Sequence, residues 1–196
     1  MKLIIPMAGF GTRLRPHSFC RPKPFLRLAG KTMIEHLVDQ LVEFSPVTID
    51  SMVFIIGPFD KNAETALRSI AKKHKASCHL YYQSTKLGLA HALACANEQL
   101  HGPAFLAFSD SLFDAPKLAC LPDKNCIWVE SVKDPSAYGV ACINAQNKVQ
   151  SIVEKPQQFV SDLAIIGIYY FVAIDQLRTA IASIISLQQL QQGEYS

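Results

Sequence analysis

The chain has 196 residues, 49% of them apolar and 18% charged, and a formal net charge of +3 at pH 7. That is enough length and apolar content for one domain with a substantial core, and it excludes a disordered chain. The 19 Lys and Arg are spread along the sequence rather than gathered into a basic run, which removes nucleic acid and membrane surfaces from the expected partners and leaves small anions such as phosphates.

In chain order, short apolar runs at 3–7, 52–56, 79–82 and 104–108 read as strands. Between them lie stretches of helical period. Ile34, Leu37, Val38, Leu41 and Val42 share one face, then Ala63, Ala66, Leu67, Ile70 and Ala71, then Leu89, Ala92, Leu93, Ala96 and Leu100. Strand alternating with helix predicts an α/β domain on a mostly parallel sheet. The strands are continuously apolar, as expected when helices cover both faces. From about residue 110 the pattern becomes β-rich, with runs at 127–132, 139–143, 149–153 and 165–171, and a last helix carries Ile174, Leu177, Ile181 and Ile185 on one face. The glutamines of 188–192 read as the continuation of that helix's surface.

The six cysteines form no C-x-x-C pair and no zinc spacing, so they read as reduced thiols that pack as small hydrophobes. The short apolar start runs into a glycine loop and cannot serve as a secretory signal, and no window has the length of a membrane span. A cytoplasmic protein is the expectation.

The first strand leads into Ala8-Gly9-Phe10-Gly11-Thr12-Arg13-Leu14-Arg15-Pro16. Glycines let a backbone approach a phosphate closely, bare N–H groups supply oriented donors, and arginine adds charge. The P-loop spacing is absent. The dinucleotide fingerprint G-x-G-x-x-G fails because Leu14 stands at its third glycine, which disfavours a nicotinamide oxidoreductase. Taken alone, Gly-x-Gly is better read as an ordinary tight turn.

The continuation separates the two readings. Pro22-Lys23-Pro24 follows, then Gly30-Lys31-Thr32-Met33-Ile34-Glu35-His36-Leu37. Together, G-x-G-T-R-L-x-P, P-K-P and G-K-x-M-I-E-H-L resemble the amino-terminal signature of the sugar-1-phosphate nucleotidylyltransferases, the group that includes the glucose-1-phosphate thymidylyl- and uridylyltransferases. The resemblance implies a Rossmann-like three-layer sandwich of the nucleotide-diphospho-sugar transferase type. It further implies transfer of a nucleoside monophosphate from a triphosphate, dTTP or UTP, to a sugar 1-phosphate, with release of pyrophosphate.

Later motifs extend the match. Gln83 closes the third strand ahead of Leu87-Gly88-Leu89-Ala90-His91-Ala92, which resembles the family's base-recognition segment. A glutamine amide both donates and accepts, so it can pair with a thymine or uracil edge. Gly88 offers backbone to the base or simply starts a helix. Asp110 follows the apolar strand at 104–108, at the carboxyl end where open α/β sheets bind ligands. A carboxylate there suits Mg2+ shared with triphosphate oxygens. The family has Gly-Asp-Asn at this point; this chain has Ser109-Asp110-Ser111. Tyr138-Gly139-Val140 and Val153-Glu154-Lys155-Pro156 resemble the sugar-binding segments. Ala164 to Phe171 resembles the strand ending the sugar pocket, with Ile166 where the family carries Asn or Thr.

The resemblance therefore implies Ala8, Gly9, Gly11, Thr12 and Arg13 at the triphosphate, Lys23 at the α-phosphate, and Gln83 and Gly88 at the base. It places Asp110 at the metal, Gly139 and Glu154 at the sugar, and Lys155 at the incoming phosphate, with Arg13 and Lys23 as the catalytic cations. Family members continue past a Gly-Glu-Tyr segment to a second metal-binding aspartate, so residues 1–196 are expected to be one catalytic domain cut short at its C-terminus. The competing class is a non-catalytic homologue that binds nucleotide sugars; it would lack Lys23, Asp110 or Lys155, and all three are here. The sugar, the choice between dTTP and UTP and the pathway are not legible. A homo-oligomer is compatible with the sequence.

Overall fold

The computed structural model describes residues 1–9, 22–58, 61–85, 87–187 and 195. Gly11, Thr12 and Arg13, and the glutamines of 188–192, lie outside them. β1 (Lys2–Pro6) sits between β4 (Ser51–Ile56) and β6 (Ala104–Ala107), parallel to both, and β5 (Ser77–Tyr82) runs parallel beyond β4. The parallel half thus has the order β5-β4-β1-β6. Its crossovers are α1 (Met33–Phe44), α2 (Lys61–Lys73) and α3 (Gly88–Cys95), the last followed by a 3-10 turn at Asn97–Gln99.

An antiparallel half continues the sheet. β10 (Leu163–Phe171) pairs with β6, β7 (Cys126–Ser131) and β8 (Gly139–Ile143), and β8 pairs with β9 (Val149–Glu154). α4 (Asp175–Ser186) closes the described fold. Every strand predicted from apolar runs forms, as do the three crossover helices and the last helix. A two-residue hairpin, β2 (Arg27–Leu28) with β3 (Lys31–Thr32), is additional.

Side-chain alternation on the central strands creates two cores. Leu3, Ile5, Phe54 and Ile56 pack with Leu37, Leu41 and Leu67 of α1 and α2. Ile4, Val53, Ile55 and Leu106 pack with Ala90 and Leu93 of α3 and Ile181 of α4. Strands buried on both faces have no polar side to show, which accounts for their unbroken apolar runs. The result is helix, sheet, helix: three layers.

The segment Gly30 to Leu37 turns out to be architecture. Ala29 and Gly30 both take positive φ (48° and 87°), the conformation that suits a two-residue hairpin turn. Thr32 caps α1: the Glu35 N–H donates to the Thr32 hydroxyl at 3.3 Å, and the Thr32 N–H donates to the Glu35 carboxylate at 2.7 Å. This reciprocal cap sets where α1 begins and so how Leu37 and Leu41 meet the sheet.

Asp39 on α1 ties this region to α2. It accepts from Lys31 at 2.7 Å, Lys73 at 2.6 Å and His74 at 2.8 Å. Burial works against its charge, but those hydrogen bonds outweigh it and hold the carboxyl at about 2, below its ordinary 3.8. A folded-state pKa below the unfolded one gives stability that is whole above about pH 4 and is lost as pH falls through about 2. Asp39→Asn should therefore lower unfolding free energy by about 1–2 kcal/mol at pH 7, allowing for the exposure of both lysines. Denaturant titrations should show the gap between mutant and parent closing near pH 2; a gap independent of pH would mean that the charge is not what matters.

Candidate functional site

Parallel strands finish on the same edge of a sheet, and the order β5-β4-β1-β6 reverses direction at β1, so β1 and β6 leave diverging connections at their carboxyl ends. A cleft of about 280 Å3 opens there, lined by Pro6, Ala8, Gly9, Gln83, Gly88, Leu89, Ala92 and Phe108. Pro6 ends β1 and Ala8 and Gly9 follow it, Gln83 follows β5, Phe108 follows β6, and Gly88, Leu89 and Ala92 come from the start of α3. Four residues singled out from motifs far apart in sequence, Ala8, Gly9, Gln83 and Gly88, share this wall.

Gln83 is 7% exposed. Its N–H donates to the Ile56 carbonyl at 2.8 Å, continuing the β4–β5 pairing by one residue. Its side-chain nitrogen Nε2 lies 2.9 Å from the Gly88 carbonyl and 3.0 Å from His91 Nδ1. Both amide hydrogens thus have protein acceptors, and among the described residues no donor reaches the amide oxygen. Among the described residues, the oxygen is the end of this amide left to a ligand. Gly88 holds φ 86°, which favours glycine. Residue 195 frames the same loop, its N–H donating to the Leu87 carbonyl at 2.7 Å and its carbonyl accepting from the Ala90 N–H at 3.1 Å.

Lys23 and Asp110 are joined directly, the ammonium donating to the carboxylate, with 27% and 45% of their side chains exposed. Lys23 begins a 3-10 turn (Lys23–Phe25) whose Pro24 and Phe25 are buried, so the pair is anchored from beneath. Asp110 stands two residues beyond Phe108 of the cleft. A half-exposed carboxylate at a strand end is a hard donor that suits Mg2+ held mainly by phosphate oxygens and water. No group of three or more His, Cys, Asp or Glu gathers among the described residues, so they offer no all-protein cage.

The turn carrying Asp110 is seated by β10. The Phe108 N–H donates to the Gly167 carbonyl at 2.9 Å, and the Ser111 hydroxyl donates to the Ile166 carbonyl at 2.6 Å. Gly167 takes φ 79°, where the pairing of β10 with β7 shifts register. A Cβ there would lie 2.8 Å from the Phe108 ring and 2.8 Å from the Ser111 hydroxyl.

Gly139, Glu154 and Lys155 form a third group on the same edge. Gly139 pairs with Glu154 across β8 and β9, and a Cβ on Gly139 would meet the Glu154 carboxylate at 2.8 Å. Lys155 has a left-handed backbone, φ 45°, uncommon outside glycine; its N–H donates to the Tyr138 carbonyl at 2.9 Å. Its ammonium lies 3.7 Å from Glu154. Burial and then the Glu154 charge push the Tyr169 hydroxyl pKa up, and Tyr169 packs on Phe108 with ring centroids 5.7 Å apart. The Glu154 charge is therefore felt close to the cleft, and Lys155 pairs with Glu154 rather than with Asp110.

Three features were not read from sequence: the apolar wall of Leu89, Ala92 and Phe108, the His91 contact, and the Gly167 seat. Leu89 and His91 follow Gly88 within a motif already noted, whereas Gly167 meets Phe108 only through sheet pairing.

A family model described as Nucleotidyl transferase matches residues 2–185. The chain is 31% identical over 180 residues to the mannose-1-phosphate guanylyltransferase catalytic subunit beta of Dictyostelium discoideum, covering 87% of this chain and 49% of that protein. It is 32% identical over 180 residues to the mannose-1-phosphate guanyltransferase of Schizosaccharomyces pombe, covering 86% and 49%. The chain thus spans about half the length of these relatives. A solved structure of apo UDP-glucose pyrophosphorylase superposes with a TM-score of 0.79 at 22% identity, over 100% of this chain and 83% of that one; at that identity the likeness establishes the fold.

Gly167→Ala should destabilise by about 1–3 kcal/mol, from strained backbone and the clash with Phe108. Amide exchange should quicken at Phe108 and Ser111 first. Unchanged protection there would show that Gly167 does not seat the turn.

Proposed function

This chain belongs to the nucleotidyl transferase family, and from that premise we propose that it moves a nucleoside monophosphate from a nucleoside triphosphate to a sugar 1-phosphate. The observation that carries the reading is the cleft at the junction of β1 and β6: Ala8, Gly9, Gln83 and Gly88 meet in it, and the Lys23–Asp110 pair stands two residues past its Phe108 wall.

In the proposed reaction a sugar-phosphate oxygen attacks the α-phosphorus and pyrophosphate departs in line. A phosphate monoester is already ionised near neutral pH, so no general base is needed. What remains is to hold two repelling anions together and neutralise moving charge. Gln83 and Gly88 take the base, and Ala8 and Gly9 lead into the triphosphate loop, to which Gly11, Thr12 and Arg13 belong. Lys23 faces the α-phosphate. Gly139 and Glu154 take the sugar, and Lys155 its phosphate. Mg2+, when bound, neutralises charge across the triphosphate oxygens, with Asp110 as the protein ligand. Lys23 and Asp110 neutralise one another at rest, so occupation of the site exchanges that contact for two others: Lys23 to phosphate and Asp110 to metal.

For the nucleotide, we favour guanosine triphosphate with mannose 1-phosphate, above the dTTP or UTP expected from sequence. The relatives at 31% and 32% identity are named for guanylyl transfer to mannose 1-phosphate. An acceptor-only Gln83 also suits guanine, whose Watson–Crick edge carries two adjacent donors where uracil and thymine carry one.

Pyrophosphate release across GTP, UTP and dTTP, each with mannose 1-phosphate and glucose 1-phosphate, tests both levels. GTP with mannose 1-phosphate should be fastest. A pyrimidine triphosphate in first place would remove the guanylyl assignment, and binding without turnover in every pair would refute transfer by residues 1–196. Lys23→Ala and Asp110→Asn should each lower turnover about a hundredfold, with circular dichroism unchanged. Near-parental rates in either variant would refute its role.

A further inference from the structure

We infer that His91 is a positioning residue for base recognition, holding the Gln83 amide so that its oxygen faces the cleft. This deepens, and rests on, the reading that the cleft takes a nucleotide base. The amide has two ends of similar size, and which end meets the ligand decides which edge of a base is accepted.

Two partners act on the nitrogen end. The Gly88 carbonyl, 2.9 Å away, is an acceptor in every circumstance. Were the amide turned over, its oxygen would face that carbonyl, and two acceptors would be pressed together with no hydrogen between them. His91 Nδ1, at 3.0 Å, receives the second amide hydrogen and must therefore be the unprotonated ring nitrogen, with the ring proton on Nε2. With the nitrogen held at both hydrogens and the side chain almost wholly buried, the amide cannot rotate to suit an incoming base. His91 stands three residues into α3 from Gly88, nearly one turn, so one short helix presents both acceptors. Without His91 the second amide hydrogen loses its acceptor, and Gln83 keeps only the Gly88 contact. The oxygen's direction then loosens.

The base that pairs with this oxygen must bring an N–H to it, as the imino group of guanine, uracil or thymine does. Methylating that imino nitrogen removes the hydrogen and adds bulk. Binding of GTP, UTP and dTTP, of N1-methyl-GTP and N3-methyl-UTP, and of inorganic tripolyphosphate should be measured calorimetrically on the wild-type chain, His91→Leu and His91→Asn. His91→Leu should weaken the preferred triphosphate about tenfold, shrink the penalty for imino methylation, and leave tripolyphosphate unchanged. The Asn oxygen reaches about where Nδ1 stands and accepts the same hydrogen, so His91→Asn should retain near-wild-type binding. Nitrogen NMR of the wild-type ring, which needs no variant, should show the Nε2–H tautomer.

A His91→Leu variant with wild-type affinity and wild-type methylation penalty overturns the inference. So does equal weakening of tripolyphosphate, which would mark a general structural role, and so does an Nδ1–H tautomer or failure of His91→Asn. A wild-type chain that binds triphosphates no better than tripolyphosphate overturns the base-cleft reading itself, whatever His91 does.

Discussion

Four strands running the same way, β5, β4, β1 and β6, deliver their carboxyl ends to one edge, and the order of those strands parts the chain on either side of β1. Everything proposed for this protein depends on that constraint. A parallel sheet must return each strand by a crossover, and the crossovers leave on both faces. Between β1 and β6 the connections diverge, so a gap opens that no side chain of the core fills. Residues at the ends of β1, β5 and β6 and at the start of α3 reach it, although they are spread along the chain from Pro6 to Phe108. Two buried apolar layers, one on each face, keep the gap's walls from shifting.

Within this frame the polar groups are held by one another. Lys23 and Asp110 neutralise each other, Glu154 and Lys155 do the same, and the Gln83 amide is engaged at its nitrogen. Mutual satisfaction keeps partly exposed charges in defined positions at modest cost. It also means that a charged ligand enters by exchanging partners, which requires multivalent contact and disfavours weak anions. The exchange is cheapest where the pair is exposed, as Glu154–Lys155 is and Lys23–Asp110 is in part.

The antiparallel half does different work. β10 borders β6 and carries Gly167, whose left-handed backbone lets the Phe108 to Ser111 turn settle against it. Ser111 replaces the Asn usual at this point in the family, yet its hydroxyl finds the Ile166 carbonyl. That exchange explains how the departure from Gly-Asp-Asn leaves Asp110 placed. Ile166 contributes its backbone to the contact, so its apolar side chain is no obstacle there. Lys155, held in a left-handed conformation directly after β9, is the comparable point on the side proposed for the sugar.

The sequence by itself determined the elements: the unbroken apolar runs of β1, β4 and β6 became strands buried on both faces, and three of the four helical faces became crossovers. The family resemblance carried by its motifs implied that Ala8, Gly9, Gln83, Gly88, Lys23 and Asp110 belong to one site for phosphate, base and metal. It could not say which end of the Gln83 amide would be spent on the protein, because that depends on a carbonyl and a ring nitrogen brought to it by the first turn of α3. Nor could it show that Gly167 supports Asp110, for β10 meets β6 only after the whole antiparallel half has formed. Local chemistry is written residue by residue, whereas orientation and pairing are decided by strand order and register, which exist only in the folded chain.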